Sequence, residues 1–226
     1  MTRGFAVVLT LLLLGVALYA GWYATRRIEY FPRELQDVFE TCDYGNGAGE
    51  NKPLMWEVEA EIYAEELAAF HEPSLSRRPG QSHGQSVRFL WVTEFDSPLV
   101  VRIDTLADGR LRMIAKTRPG GAGFGSGVKR KADMTRTLTS SESATLSRLI
   151  AQSGIQQTRS SGCSGGWASW IIEFADPVTG YRYRTGTYPN PSPIDGLAVF
   201  MSGLPGWELS RAPTLEPPRS VPPASP

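Results

Sequence analysis

The strongest periodic signal in the chain is strict alternation. Val87, Phe89, Trp91, Thr93 and Phe95 fall on one side of an extended segment and Arg88 and Glu94 on the other, which predicts a strand with one apolar face. Asp96-Ser97-Pro98 then turns the chain. Two further strands are predicted, over Leu99 to Leu106 and Arg110 to Arg118, around Ala107-Asp108-Gly109. A two-residue Asp-Gly loop would set Val101 opposite Lys116 and Thr105 opposite Arg112, mixing both faces. A three-residue loop with Gly109 in the left-handed region gathers Val101, Ile103, Leu111, Met113 and Ala115 on one face. Arg102, Asp104 and Arg112 then share the other, with Asp104 directly opposite Arg112. A one-residue slip exchanges the faces, so burial selects the three-residue loop.

Helical spacing of Leu35, Val38, Phe39 and Cys42 predicts a short amphipathic helix over 32–42, and the Gly/Asn-rich 43–53 reads as loop. From Leu54 to Ile62 apolar residues alternate with Glu57, Glu59 and Glu61, as in a strand. The Ala, Glu and Leu that follow favour helix, and helix is the expectation for most of 54–70. A loop covers 72–85, and a Gly-rich loop runs from Gly120 to Gly127 before a short polar strand at Thr135–Thr139. Ser and Thr at 139–141 can cap a helix that turns Ala144, Leu146, Leu149 and Ile150 inward and ends at Gly154. Trp170, Ile172 and Phe174 mark a strand, Asp176 to Gly180 a turn, and Tyr181 to Tyr188 the returning strand. Ser192 and Pro193 suit the start of a last helix bearing Ile194, Leu197, Phe200 and Leu204. Hairpins interrupted by helices predict an α+β domain, an antiparallel sheet with helices packed on it.

Both ends of the chain read differently. Gly4 to Ala24 is almost wholly apolar, and twenty-one helical residues rise about 31 Å, enough to span a bilayer core. Tyr19, Trp22 and Tyr23 suit the interface, and Arg26 and Arg27 follow as a polar stop. A cleaved signal peptide is the competing reading, but cleavage after Ala20 would leave Leu18 at the −3 position. The expectation is one N-terminal transmembrane helix over 4–24. Arg26, Arg27 and Arg33 against Arg3 favour a cytoplasmic domain by the positive-inside rule. A basic residue ahead of a long apolar run equally begins an export signal, and export is expected here. After Leu204 the last 22 residues hold seven of the 17 prolines, which predicts a disordered or polyproline-like tail over 205–226. A single domain over 29–204 remains.

Charge sharpens this picture. The 226 residues carry 23 Lys plus Arg against 23 Asp plus Glu, and a chain of zero net charge is not a general nucleic-acid binder. The balance is uneven along the sequence: −10 from Glu29 to Glu72, with twelve acids and two bases, and +7 from Arg77 to Arg136, with twelve bases and five acids. Packing of the acidic segment on the basic one within the domain is the simpler reading, and two partner-binding faces of opposite sign the other.

Candidate chemistry is sparse. Gly162-Cys163-Ser164-Gly165-Gly166 matches the nucleophile elbow G-x-S-x-G, but a strand follows it, and His71 and His83 both precede it. A catalytic-cysteine reading of Cys163 fails for the same reasons. The glycines at 120–127 fit neither phosphate-binding register, and Ser126 and Lys129 form an S-x-x-K without the helix it requires. Two His and two distant Cys do not make a zinc site. No catalytic residue, cofactor or metal is expected. In an exported domain Cys42 and Cys163 most simply form one disulfide, closing a loop of about 120 residues that is worth on the order of 4 to 5 kcal/mol at most. Trp167, Trp170, Arg182, Arg184 and Tyr188 cluster around the last hairpin, and any of these rings left exposed beside Arg on one sheet face would form a binding patch.

From Val87 to Trp207 the order of features resembles a family of exported or membrane-anchored bacterial proteins to which no activity is assigned. The matching run is Arg88-Phe89-Leu90-Trp91, Phe95, Pro98, Val101-Arg102, the Gly-rich loop and the Ser/Glu-started helix. It continues through Trp170-Ile171-Ile172-Glu173 and Tyr181-Arg182-Tyr183 to a final helix ending near Gly206-Trp207. The chain departs from it in the longer, polar loop from Gln156 to Gly166 and in having Cys163 there. The resemblance implies envelope location and fold, and brings no catalytic residue. The expected protein is a single-pass inner-membrane protein with a periplasmic domain that binds an envelope protein partner or serves assembly. The alternative is a hydrolase-like enzyme using carboxylates or Ser126 and Lys129.

Overall fold

The hairpin register follows burial. In the computed structural model, which describes residues 12–19, 30–42, 49–77, 84–92, 97–118, 132–157, 170–186 and 193–207, strand β4 (Leu99–Thr105) pairs with β5 (Leu111–Thr117) so that Asp104 faces Arg112 and Ile103 faces Met113. Gly109 stands at φ 80°, the left-handed position that the three-residue loop demands. Strand β3 (Ser86–Trp91) pairs with β4, β6 (Ala132–Thr137) with β5, β7 (Trp170–Asp176) with β3, and β8 (Gly180–Gly186) with β7. The result is one antiparallel six-stranded sheet in the order β6-β5-β4-β3-β7-β8.

Helices α4 (Ser140–Ser153) and α5 (Pro193–Gly203) cover one face. Thr139 caps α4, accepting from Glu142 N–H at 3.2 Å while the Glu142 carboxylate accepts from Thr139 N–H at 2.8 Å, and Gly154 ends it at φ 66°. Leu146, Ile150, Leu197 and Met201 pack there on Val87, Phe89, Val101, Ile103, Met113, Trp170, Ile172 and Phe174. Ala144, expected inward, is exposed; the inward stripe of α4 is set by Leu146 and Ile150.

The opposite face is covered as well, by α3 (Glu57–Ala69) and the segments before it, through Tyr30, Phe31, Leu54, Met55, Tyr63, Leu67 and Phe70. The expected helix over 54–70 is therefore present, and the alternation at Leu54–Ile62 does not make a strand. Two expectations are corrected upstream. The segment 32–42 holds only a four-residue helix, α2 (Glu34–Asp37), before strand β1 (Phe39–Cys42), and the expected loop 43–53 contains β2 (Glu50–Pro53) antiparallel to it. Phe39 and Thr41 pair comfortably as strand residues, and Val38 and Phe39 are exposed rather than inward.

Of the apolar N-terminal segment, residues 12–19 are described; they form α1 and are exposed. No helix of the described residues is long and apolar enough to cross a membrane, and most of 4–24, like 208–226 in the tail, lies outside them.

Candidate functional site

The face of the sheet under α3 carries Arg88, Arg102 and Asp104, opposite the apolar alternation of Val87, Phe89 and Trp91. It is buried. Arg88 and Glu173 are wholly inaccessible, and Arg102, Asp104 and Glu72 nearly so. Register explains the arrangement: Glu173 of β7, Arg88 of β3 and Arg102 of β4 lie in one cross-strand row, and Ser86, Asp104 and Arg112 in the next.

The side chains satisfy one another. Arg88 Nε donates to Glu173 Oε2 at 2.6 Å, its Nη2 stands 2.5 Å from the same oxygen, and its Nη1 donates to the Pro73 carbonyl at 2.6 Å. Glu72 is held by Arg102 Nη1 at 2.7 Å and by Lys116 Nζ at 2.6 Å. Asp104 accepts from Ser86 Oγ at 2.9 Å and from Arg102 Nε and Arg112 Nη2 at 3.2 Å each. Tyr181 OH donates to Glu173 Oε1 at 2.9 Å, and burial followed by the Glu173 charge holds this phenol well above its ordinary range. Further out, Arg118 pairs with Glu66 of α3 at 2.6 Å.

Glu72 enters this lattice through the end of α3. His71 N–H donates to Ala68 C=O and Glu72 N–H to Leu67 C=O, both at 2.9 Å, with His71 at φ 53°. That is the Schellman reversal, here with His in the place usually taken by Gly. It turns the chain back so that Glu72 points under the sheet cover while His71 stays exposed. Among the described residues, the role that the structure gives His71 is this turn.

Chemically, the lattice joins the acidic 29–72 segment to the basic 77–136 segment, as the simpler reading of the charge blocks expects. Buried charge of this kind is costly to strip of its partners and adds little over a well-packed apolar pair. Its carboxylates and cations are spent on one another beneath α3. Among the described residues, no group of His, Cys, Asp and Glu could hold a metal ion.

The residues singled out from the sequence separate. Trp170 is 1% exposed and sits in the core under α4 and α5, so its place in a surface patch is corrected. Its indole lies over Gly186: a Cβ there would stand 1.9 Å from Trp170 Cζ2. Arg182 and Arg184 are half-buried on the edge strand β8, on the same face as Phe174 and Ile172, and burial lowers the Arg184 pKa. Trp167, Tyr188, Ser126, Lys129, His83 and Cys163 lie outside the described residues. Cys42, at the end of β1, is 1% exposed, and no free cysteine is present among the described residues.

One surface feature escaped the sequence reading. Val38, Phe39, Trp56 and Val58 are 44–59% exposed. Their helical or alternating spacing suggested burial, and only the β1–β2 hairpin and the start of α3 at Trp56 turn them outward. No protein-family model matches the chain, and no curated protein matches it.

Proposed function

We propose that the chain is a membrane-anchored envelope protein. Residues 4–24 cross the inner membrane once, the α+β domain stands on the periplasmic side, and that domain binds a protein partner or serves assembly rather than catalysing a reaction. Cys42 is bridged to Cys163 in this reading. The observation that carries its non-catalytic part is the fate of the converged ionisable groups. Arg88, Glu173, Glu72, Arg102 and Asp104 are consumed in mutual ion pairs on a covered face, which is the arrangement of a structural lattice and not of a substrate cleft. The burial of Cys42, with no free cysteine among the described residues, supports an oxidising compartment.

The test is complementation of the deletion strain. Ser126→Ala and Lys129→Ala variants should complement fully at wild-type abundance. Failure of either variant, with normal accumulation in the membrane fraction, would favour the hydrolase-like alternative.

A further inference from the structure

Outside 12–19, the large apolar side chains exposed among the described residues are Val38, Phe39, Trp56, Val58 and Val178. Four of the five lie on two chain segments that the backbone brings together. Leu54 N–H donates to Val38 C=O at 2.8 Å and Met55 N–H to Leu35 C=O at 3.2 Å, and Phe39 pairs with Pro53. The start of β1 and the start of α3 therefore lie side by side. Trp56 and Val58 border a shallow depression of about 450 Å³ shared with Glu57 and Glu61. Exposed Trp, Phe and Val brought together in this way are the make-up of an interaction surface.

We propose that this patch docks into the lipid–water interface, held there by the anchor that precedes it; the inference rests on reading 4–24 as a membrane span. Two observations support a lipid surface as the occupant, and a third sets which lipid it prefers. The first is reach. Tyr30 is fixed in the domain, its OH donating to Glu72 C=O at 2.8 Å and its carbonyl accepting from Ser74 and Ser76 at 3.1 and 3.0 Å. From Ala24 to Tyr30 there are six residue steps, at most about 20 Å, so Tyr30, and the patch beginning eight residues later, are tied close to the bilayer. The second is side-chain type. Trp and Phe beside Val suit the headgroup–acyl boundary, where such faces sit about 5–10 Å deep. The third is charge. Glu57 and Glu61 of α3 line the same depression as Trp56 and Val58, and carboxylates are repelled by anionic headgroups. Docking should therefore be firm on zwitterionic lipid and weaken as anionic lipid is added.

The experiment places the full-length chain in phosphatidylcholine nanodiscs, with a nitroxide on Val58→Cys or, as control, on Val178→Cys in the β7–β8 turn. Collision rates with oxygen, which concentrates in lipid, and with a water-soluble nickel chelate are read by electron paramagnetic resonance. The oxygen-to-nickel ratio should rise at position 58 and not at 178, and should fall again in discs containing phosphatidylglycerol. Phe39→Ser with Trp56→Ser should bring position 58 to the value of 178. A chain that remains disc-bound but shows a water-like label at 58 overturns the docking and leaves the anchor standing. An immobile label shielded from both reagents overturns it in favour of a covering protein. A chain that does not co-purify with discs overturns the anchor and the docking together.

Discussion

Replacing Arg88 with Met removes the centre of the buried lattice and keeps an unbranched, uncharged stem in its place. Glu173 then keeps only the Tyr181 hydroxyl, at 2.9 Å, and the Pro73 carbonyl loses its donor at 2.6 Å. With Arg88 and Glu173 both wholly buried, the loss leaves an uncompensated charge in the interior, which costs about 3–5 kcal/mol. A domain of this size has about 5–15 kcal/mol in all, so the variant should be folded but fragile. Arg88→Met with Glu173→Leu exchanges the pair for aliphatic groups of similar size and should recover most of the loss, with a coupling of about 0.5–3 kcal/mol or more. Urea unfolding followed by tryptophan fluorescence gives the free energies by linear extrapolation. A single variant costing less than about 1 kcal/mol would refute the reasoning, since a buried unpaired carboxylate cannot be that cheap. So would a double variant whose cost equals the sum of the two singles.

Other outcomes follow from particular contacts. Gly186→Ala drives a Cβ into the buried Trp170 ring and should cost about 1–3 kcal/mol by the same urea assay, with changed tryptophan emission; a neutral result would mean the edge of β8 yields freely. The Glu142 carboxyl is held down to about 2 from an ordinary 4.5, first by the Arg136 hydrogen bonds and then, against the opposing effect of burial, by the Thr139 cap. A folded pKa below the unfolded one means that this stabilisation is present above about pH 4.5 and is lost as pH falls towards 2; an NMR titration of Glu142 with its midpoint near 4.5 would contradict it. His71→Gly relieves a side chain at φ 53° and should be neutral or stabilising by up to about 1 kcal/mol, whereas a role for the imidazole predicts loss of function in complementation.

How far the sequence was legible depended on how many alternatives burial could exclude. The β4–β5 register was legible because a slip of one residue would have put Lys116 in line with Val101. Asp104 duly faces Arg112. The cap at Thr139 and the stop at Gly154 were legible because each uses the residue type its geometry demands. The β1–β2 hairpin was not, because Leu35, Val38, Phe39 and Cys42 sit at helical spacing while the chain turns extended from Phe39 to Cys42. Alternation put Arg88 opposite the apolar face without naming what lies over it, and the acidic N-terminal segment covers it. The charge blocks held that information, but the residue-level partners did not follow from them: Glu72 reaches Arg102 and Lys116 only because His71 adopts a left-handed turn that nothing in a histidine announces. Trp170 shows the limit for site residues. Aromatic and Arg side chains close in sequence suggested a surface patch, whereas strand alternation sends the indole inward against Gly186.

The central claim is that this domain stands outside the cytoplasm with its two cysteines joined. The direct test labels intact cells with a membrane-impermeant thiol reagent before and after reduction, denaturing the protein in both arms before readout. The account predicts that Cys42 and Cys163 react only after reduction and without lysis. Labelling that requires lysis and needs no reduction would place the domain in the cytoplasm, and would contradict both the export and the disulfide.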